Sequence, residues 1–101
     1  MQEQRILIFE PFCLDVGSER LWRGQEAIHL THKAFAVLHY LAEHAGQLVT
    51  KGELLESVWS QTYVSEAALA VCIREIRQAI GDNPRTPQFI QTVHGRGYRF
   101  I

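Results

Sequence analysis

Apolar residues change their spacing twice along this chain, and that change limits the folds it can adopt. In the first thirty residues, short apolar runs alternate with polar or glycine-bearing breaks, as in a small antiparallel meander. The runs cover residues 6–9, 12–14, 21–22 and 27–30. From Thr31 to Ile80 apolar residues recur at helical intervals, and after residue 88 the short runs return. The order strands, helices, strands predicts an α+β fold.

The helical region divides into three helices at its polar breaks. Thr31 is placed to be the N-cap of the first helix, and Gly46 to stop it after about four turns. Thr50 and Glu53 have the spacing of a capping box, which opens a second, short helix that ends near Trp59. The predicted connection between these two helices is therefore short.

The third helix is predicted over about residues 65–80, with the Ser65 hydroxyl accepting a hydrogen bond from its first turn and Gly81 ending it. One narrow stripe must face the core, and it consists of Leu69, Ile73, Ile76 and Ile80, with Cys72 at its edge. The opposite side carries small residues, arginines and an amide. These residues are Ala67, Ala70, Val71, Arg74 and Gln78, with Arg77 and Glu75 at the flanks.

That outer side is suited to contact with a nucleic acid. Arginine forks match phosphate oxygens or the O6/N7 edge of guanine, Gln78 suits an adenine edge, and Val71 suits a thymine methyl group. The alternative is an ordinary solvated helix face, and the helix alone does not decide between them. Ten basic and eleven acidic residues give a net charge of −1, so any affinity for a polyanion must come from local placement.

The last thirteen residues, 89–101, are predicted to form a β-hairpin with a narrow cationic tip. Two strand-like runs are joined by Gly95-Arg96-Gly97, with His94 before the tip and Arg99 after it. A thin loop of this kind fits a minor groove, which is about 6 Å wide. Taken alone, the loop favours a plain turn whose arginine is solvated, and only the combination with the third helix favours a groove-binding tip.

Three helices followed by a hairpin is the order of a winged helix-turn-helix, and the local motifs are more specific still. The chain resembles the OmpR/PhoB-type winged helix-turn-helix domain of bacterial transcriptional regulators over about residues 5–101. The resemblance rests on Leu-Thr before the first helix (30–31), on residues 48–59, on Val-Cys-Ile-Arg-Glu-Ile-Arg (71–77), and above all on Ile-Gln-Thr-Val-His-Gly-Arg-Gly-Tyr-Arg-Phe (90–100). It implies a four-stranded N-terminal sheet, a three-helix core, a recognition helix in the major groove and a wing in the adjacent minor groove.

The resemblance also implies which residues contact DNA. Arg74 and Arg77 match DNA-contacting positions, and Thr92 matches a wing residue that contacts the backbone. Glu75 stands where a base-reading arginine can occur, and His94 where a basic residue often occurs. Glu75 is expected either to accept from a cytosine amine or to point away from DNA. The complete predicted DNA-binding set is Ala70, Val71, Arg74, Glu75, Arg77, Gln78, Thr92, His94, Arg96 and Arg99.

Further expectations concern partners and placement. By resemblance, the domain is a monomer alone and occupies tandem half-sites head to tail on double-stranded DNA, and the loop from Ser60 to Val64 contacts RNA polymerase. Strand-like sequence begins a few residues after Met1, an arrangement similar to that of CadC- or ToxR-like proteins. Residues 1–101 are therefore expected to be a single cytoplasmic domain from the N-terminal part of a longer chain, with room for a membrane tether beyond it.

The sequence leaves one other class of function open and disfavours a third. A winged helix used for protein–protein interaction, without DNA binding, would use Val71 and the loop from Ser60 to Val64 as its docking patch, and the net acidity favours it mildly. An enzyme is not expected, because no nucleophile, base and orienting residue share a glycine-rich pocket. No metal or cofactor is expected either, since the two cysteines and five histidines lack ligand spacing.

Overall fold

The computed structural model describes residues 5–60 and 63–101. The N-terminal region forms a four-stranded antiparallel sheet in the order β1-β2-β3-β4. Its strands are β1 (Ile6–Phe9), β2 (Phe12–Asp15), β3 (Arg20–Arg23) and β4 (Glu26–Ile28). Leu14 on β2 pairs with Leu7 on one side and Leu21 on the other, so one face of the sheet is apolar and turns inward. The predicted meander is confirmed.

Three helices follow: α1 (His32–Glu43), α2 (Lys51–Val58) and α3 (Glu66–Ile80). The Thr31 hydroxyl accepts from the Ala34 N–H at 3.3 Å, as predicted for an N-cap. The capping box of Thr50 and Glu53 is present at the start of α2. α1 is shorter than expected, because its final turn closes at His44, before Gly46, whose φ of 84° turns the chain toward the next strand.

The cap predicted at the start of α3 was wrong. Ser65 occupies the N-cap position, but its side chain makes no capping hydrogen bond. Its carbonyl oxygen accepts from the Ala68 N–H at 3.1 Å instead, so the backbone alone closes the first turn. The other end follows the prediction, since Gly81 adopts the left-handed conformation and ends the helix.

The C-terminal hairpin belongs to a three-stranded sheet. Its strands are β5 (Leu48–Thr50), β6 (Ile90–Val93) and β7 (Gly97–Phe100), in the order β5-β7-β6. β5, which the apolar spacing did not predict, lies between α1 and α2 and makes β7 the central strand. We call the hairpin of β6 and β7 the wing.

Both sheets and all three helices share one apolar core. The predicted stripe of α3 is buried, including Cys72 at its edge. Phe9 and Phe12 of the first sheet meet Phe89 and Phe100 of the wing region at ring-centroid distances of 5.1 to 5.6 Å. Within the described residues, no helix has the length and apolar character needed to cross a membrane.

Candidate nucleic-acid interface

The side of α3 opposite the core is open to solvent. Ala70, Val71, Arg74 and Gln78 are all exposed, and Val71 retains 61% of its surface. The Arg74 guanidinium makes no hydrogen bond or ion pair with the described residues. A cation and an exposed apolar side chain therefore stand side by side among small residues, as the sequence predicted.

Arg77 lies at the edge of this face and turns toward the wing. Its Nη2 donates to the carbonyl oxygen of Ile90 at 3.0 Å and to the Thr92 hydroxyl at 2.9 Å. Its Nε is buried and has no partner among the described residues. The guanidinium that the sequence assigned to DNA contact thus has acceptors within the molecule.

Glu75, at the opposite edge, points away from the exposed face. Its Oε2 accepts from the Thr31 N–H at 2.6 Å and its Oε1 from the Thr31 hydroxyl at 2.9 Å. The carboxylate therefore holds the residue that caps α1. Of the two orientations that the sequence left open for Glu75, contact with a cytosine amine or a direction away from DNA, this geometry favours the second.

The tip of the wing is a tight, exposed turn. Gly95 has a φ of 74°, and the Arg96 N–H donates to the Val93 carbonyl oxygen at 3.0 Å. The side chains of His94 and Arg96 are exposed. The Arg96 carbonyl oxygen also accepts from the Lys51 N–H at 3.0 Å, which ties the tip to the start of α2.

The two other predicted wing residues lie on opposite faces of the wing sheet. Thr92 is half-buried and faces α3, where Arg77 reaches it. Arg99 pairs in register with Gln91, on the other face, and its Nη1 donates to the Gln91 Oε1 at 3.1 Å. The Nε of Arg99 is buried without a partner among the described residues. Arg99 thus lies flat on the sheet instead of extending from the tip.

Sequence reasoning missed Asp82, which holds the first residues of the wing. Only 7% exposed, it accepts from the N–H groups of Gln88 at 2.7 Å and Phe89 at 3.1 Å through Oδ1, and of Ile90 at 3.0 Å through Oδ2. Three donors satisfy a carboxylate that burial would otherwise penalise. The sequence signal that could have indicated this role is an acidic residue directly after the glycine that ends α3.

α3 and the wing border the same concave surface. A cleft of about 520 Å³ runs between them, lined by Arg74 and Gln78 on the helix and Tyr98 on β7. A second cleft, of about 660 Å³, is lined by Arg85 and His94 together with Gln91 and Thr92 of β6. The exposed face of α3 and β7 of the wing therefore border one cleft.

The described part of the chain contains no cluster of three His, Cys, Asp or Glu side chains that could hold a metal ion. The pKa of the Cys72 thiol is raised, chiefly by burial and also by the nearby charge of Glu75, which disfavours the reactive thiolate.

The predicted RNA polymerase contact falls only partly on described residues. Gln61 and Thr62, in the middle of that loop, lie outside them. Tyr63 is fully exposed, and Val64 is half-buried beside the cleft between α2 and the loop.

Three comparisons place this geometry among known proteins. Transcriptional regulatory protein KdpE of Mycobacterium tuberculosis is 33% identical over 99 residues, which cover 97% of this chain and 44% of KdpE. The RstA DNA-binding domain of Klebsiella pneumoniae, solved in complex with the RstA box, is 30% identical, with a TM-score of 0.84 over 95% of this chain and 96% of that one. The response regulator DrrB of Thermotoga maritima, an OmpR/PhoB homologue, is 37% identical, with a TM-score of 0.85 over 94% of this chain and 43% of DrrB.

The chain thus spans less than half the length of KdpE and DrrB, and nearly all of the RstA domain. Residues 24–100 match the family described as transcriptional regulatory protein, C terminal. The match takes in α1 to α3 and the whole wing sheet, so the likeness covers the elements that form the exposed surface. The chain belongs to this family of OmpR/PhoB-type winged helix-turn-helix DNA-binding domains.

Proposed function

We propose that this domain binds double-stranded DNA sequence-specifically to regulate transcription, with α3 in the major groove and the wing in the adjacent minor groove. One observation carries the proposal: Arg74 makes no hydrogen bond or ion pair with the described residues and stands on an exposed helix face that shares a cleft with the wing. The related RstA domain, solved with the RstA box, supports it.

Base reading is assigned to the exposed face of α3. Arg74 is suited to the O6/N7 edge of guanine, Gln78 to the edge of adenine and Val71 to a thymine methyl group. Ala70 allows close approach of the backbone. Glu75 contributes no base contact, because both of its oxygens accept from Thr31.

Positioning on the duplex is assigned to the wing. Arg96 at the tip is the side chain assigned to enter the minor groove, and His94 is near it in the sequence. Arg99 lies nearer the sheet and flanks the phosphate backbone, while Thr92 faces α3 and holds the wing through its hydrogen bond with Arg77.

Affinity for a single half-site is expected to be modest. The chain has a net charge of −1, and few of its cations face the proposed interface. Two domains on tandem half-sites would gain affinity through effective concentration. We assign the domain to the cytoplasm, as a monomer when free, and retain the loop from Ser60 to Val64 as the proposed contact with RNA polymerase.

Selection of binding sites from a random DNA pool, read by sequencing, tests the function directly. Arg74→Ala should weaken binding to the selected site by about 1–3 kcal/mol and relax the preference at one base position. Arg20→Ala is the matched control, since it removes the same charge from an exposed residue of the N-terminal sheet and should leave the base preference unchanged. Equal effects of the two changes, or no enriched sequence at all, would reject the assignment in favour of a protein-docking role.

A further inference from the structure

The start of the wing is held from both sides by two charged residues at the C-terminal end of α3. Asp82 accepts from the Ile90 N–H at 3.0 Å, and Arg77 donates to the Ile90 carbonyl oxygen at 3.0 Å. Both backbone polar groups of one buried residue are therefore bound to the same end of the recognition helix.

Arg77 also reaches one step further along β6. Its Nη2 donates to the Thr92 hydroxyl at 2.9 Å, so a single nitrogen joins two successive inward-facing residues of the strand. The Arg77 side chain therefore attaches β6 to α3 at two points along the strand, and Arg96 lies four residues beyond Thr92 on the same hairpin.

The guanidinium is half-buried and also lines the cleft between α3 and the wing. Its Nη2 faces two oxygens of the wing, and its Nε is enclosed without a partner among the described residues. A lysine ammonium is a compact point charge that lies one bond closer to the backbone than Nη2, so it keeps the charge of residue 77 but not its reach. The contact with the wing therefore depends on the length of the side chain as well as on its charge.

We propose that Arg77 is a positioning residue, which sets the angle between α3 and the wing so that both reach the duplex together, and which adds to DNA affinity through the wing instead of through a phosphate contact of its own. The inference rests on the proposed function. When a binding surface is already correctly arranged, the free-energy cost of ordering it on binding is lower.

A double-mutant cycle on the selected DNA site tests this inference. Arg96→Ala should weaken binding in the wild-type background and have much less effect in an Arg77→Met background, a coupling of at least about fivefold. Arg77→Lys should resemble Arg77→Met, because lysine keeps the charge but its Nζ lies one bond closer to the backbone than the Nη2 that makes both contacts. The proposal would be overturned if the fold-losses of affinity from Arg96→Ala and Arg77→Met simply multiplied in the double variant. It would also be overturned if Arg77→Lys recovered wild-type affinity. Either result would indicate an independent phosphate contact.

A second pair of variants alters the acceptor and leaves every cation in place. Thr92→Val removes the hydroxyl that Arg77 binds, and Thr92→Ser retains it. Thr92→Val should weaken binding in the wild-type background but not in the Arg77→Met background, while Thr92→Ser should match wild type in both. A loss from Thr92→Val that persists in the Arg77→Met background would contradict the inference.

Two controls separate the outcomes. Thermal unfolding of each variant establishes that the domain is folded under the binding conditions. Methylation protection at guanine N7 reports contacts in the major groove. In the Arg77→Met variant, protection of the major groove by α3 should stay in place. Protection of the minor groove by the wing should fall. Binding that depends on Arg74 but shows no coupling would reject only the role of Arg77, whereas absence of selected binding would reject the proposed function itself.

Discussion

At the scale of single residues, Gly97 and Gly52 differ in the space available for an added side chain. A Cβ added to Gly97 would overlap the Val49 carbonyl oxygen and come within 2.8 Å of the Thr50 Cα, and both are backbone atoms that cannot move aside without breaking the pairing of β5 and β7. A Cβ added to Gly52, in α2, would meet nothing within 4 Å.

We therefore expect opposite effects from the same substitution. Gly97→Ala should lower the free energy of unfolding by about 1–3 kcal/mol or more, the range for overpacking a tight site. Gly52→Ala should raise it by up to about 1 kcal/mol, because alanine is the better helix former. Urea denaturation of both variants measures the difference, and equal shifts would show that the close approach at Gly97 does not limit stability.

Residue-level roles were predictable where they depend on one helix alone. The exposure of Val71 and Arg74 follows from their angle to the buried stripe of α3. Glu75 and Arg77 lie at the flanks of that wheel, and their partners come from residues 44 and 15 positions away in sequence, at Thr31 and Thr92. Helical periodicity contains no information about such tertiary partners.

At the scale of elements, Glu75 joins α3 to the start of α1. Glu75→Gln should lower the free energy of unfolding by roughly 1 kcal/mol, since an amide replaces one of the two oxygens that accept from Thr31. Glu56→Gln, on the exposed side of α2, is the control and should change stability little. Base preference should be the same for Glu75→Gln and wild type, and a change confined to a cytosine position would mean that this carboxylate does read DNA.

Glu43 joins the start of the first sheet to the end of α1. Its carboxylate pairs with Arg5, and its Oε1 lies 2.8 Å from the His39 Nε2. The pKa of Glu43 is lowered from its ordinary value of 4.5, first by hydrogen bonding to His39 and also by the charges of His39, Arg5 and His44, against a smaller opposing effect of burial.

This shift makes the stability of the domain depend on pH in a defined direction. The folded state favours the charged carboxylate, so its contribution is present above pH 4.5 and is lost as the pH falls through the lowered pKa. Glu43→Gln should therefore be less stable than wild type near neutral pH, and the difference should shrink below pH 4.5. Urea denaturation across this range tests it, and a difference independent of pH would rule out titration of Glu43 as the cause.

Element boundaries were predictable where short-range chemistry sets them. The Thr31 cap, the capping box at Thr50 and the stop at Gly81 all act within one turn of the helix they bound. β5 was not predictable, because three residues between two helices become a strand only when β7 lies beside them. The cap expected from Ser65 depended on a side-chain orientation that composition does not determine.

At the scale of the whole molecule, a chain with a net charge of −1 is proposed to bind a polyanion. Only a few cations, led by Arg74 and Arg96, are exposed at the proposed interface. The slope of log K against log salt should therefore be shallow, about −2 to −4 per domain for two to four phosphates neutralised.

Fluorescence anisotropy titrations between about 50 and 200 mM salt measure this slope. Arg96→Ala should make it less negative, while Arg20→Ala, remote from the interface, should not change it. A slope more negative than about −6 would require cations from elsewhere on the domain and would contradict the local placement proposed here.

The overall fold was the most predictable property, because its strand–helix–strand order and the motif at residues 90–100 agree with each other and with the family. The arrangement of the wing against the helices was not. It depends on Asp82, Arg77 and β5, whose contacts join separate elements of the chain.

The hydrogen bond from the Lys51 N–H to the Arg96 carbonyl oxygen, together with the central place of β7, has a consequence for motion. The strand next to β7 runs directly into α2, so the hairpin cannot swing outward without unpairing β5 and breaking the hydrogen bond at the first residue of that helix. Amide protons of β5 and β7 should accordingly exchange with solvent at similar rates, as one cooperative opening unit.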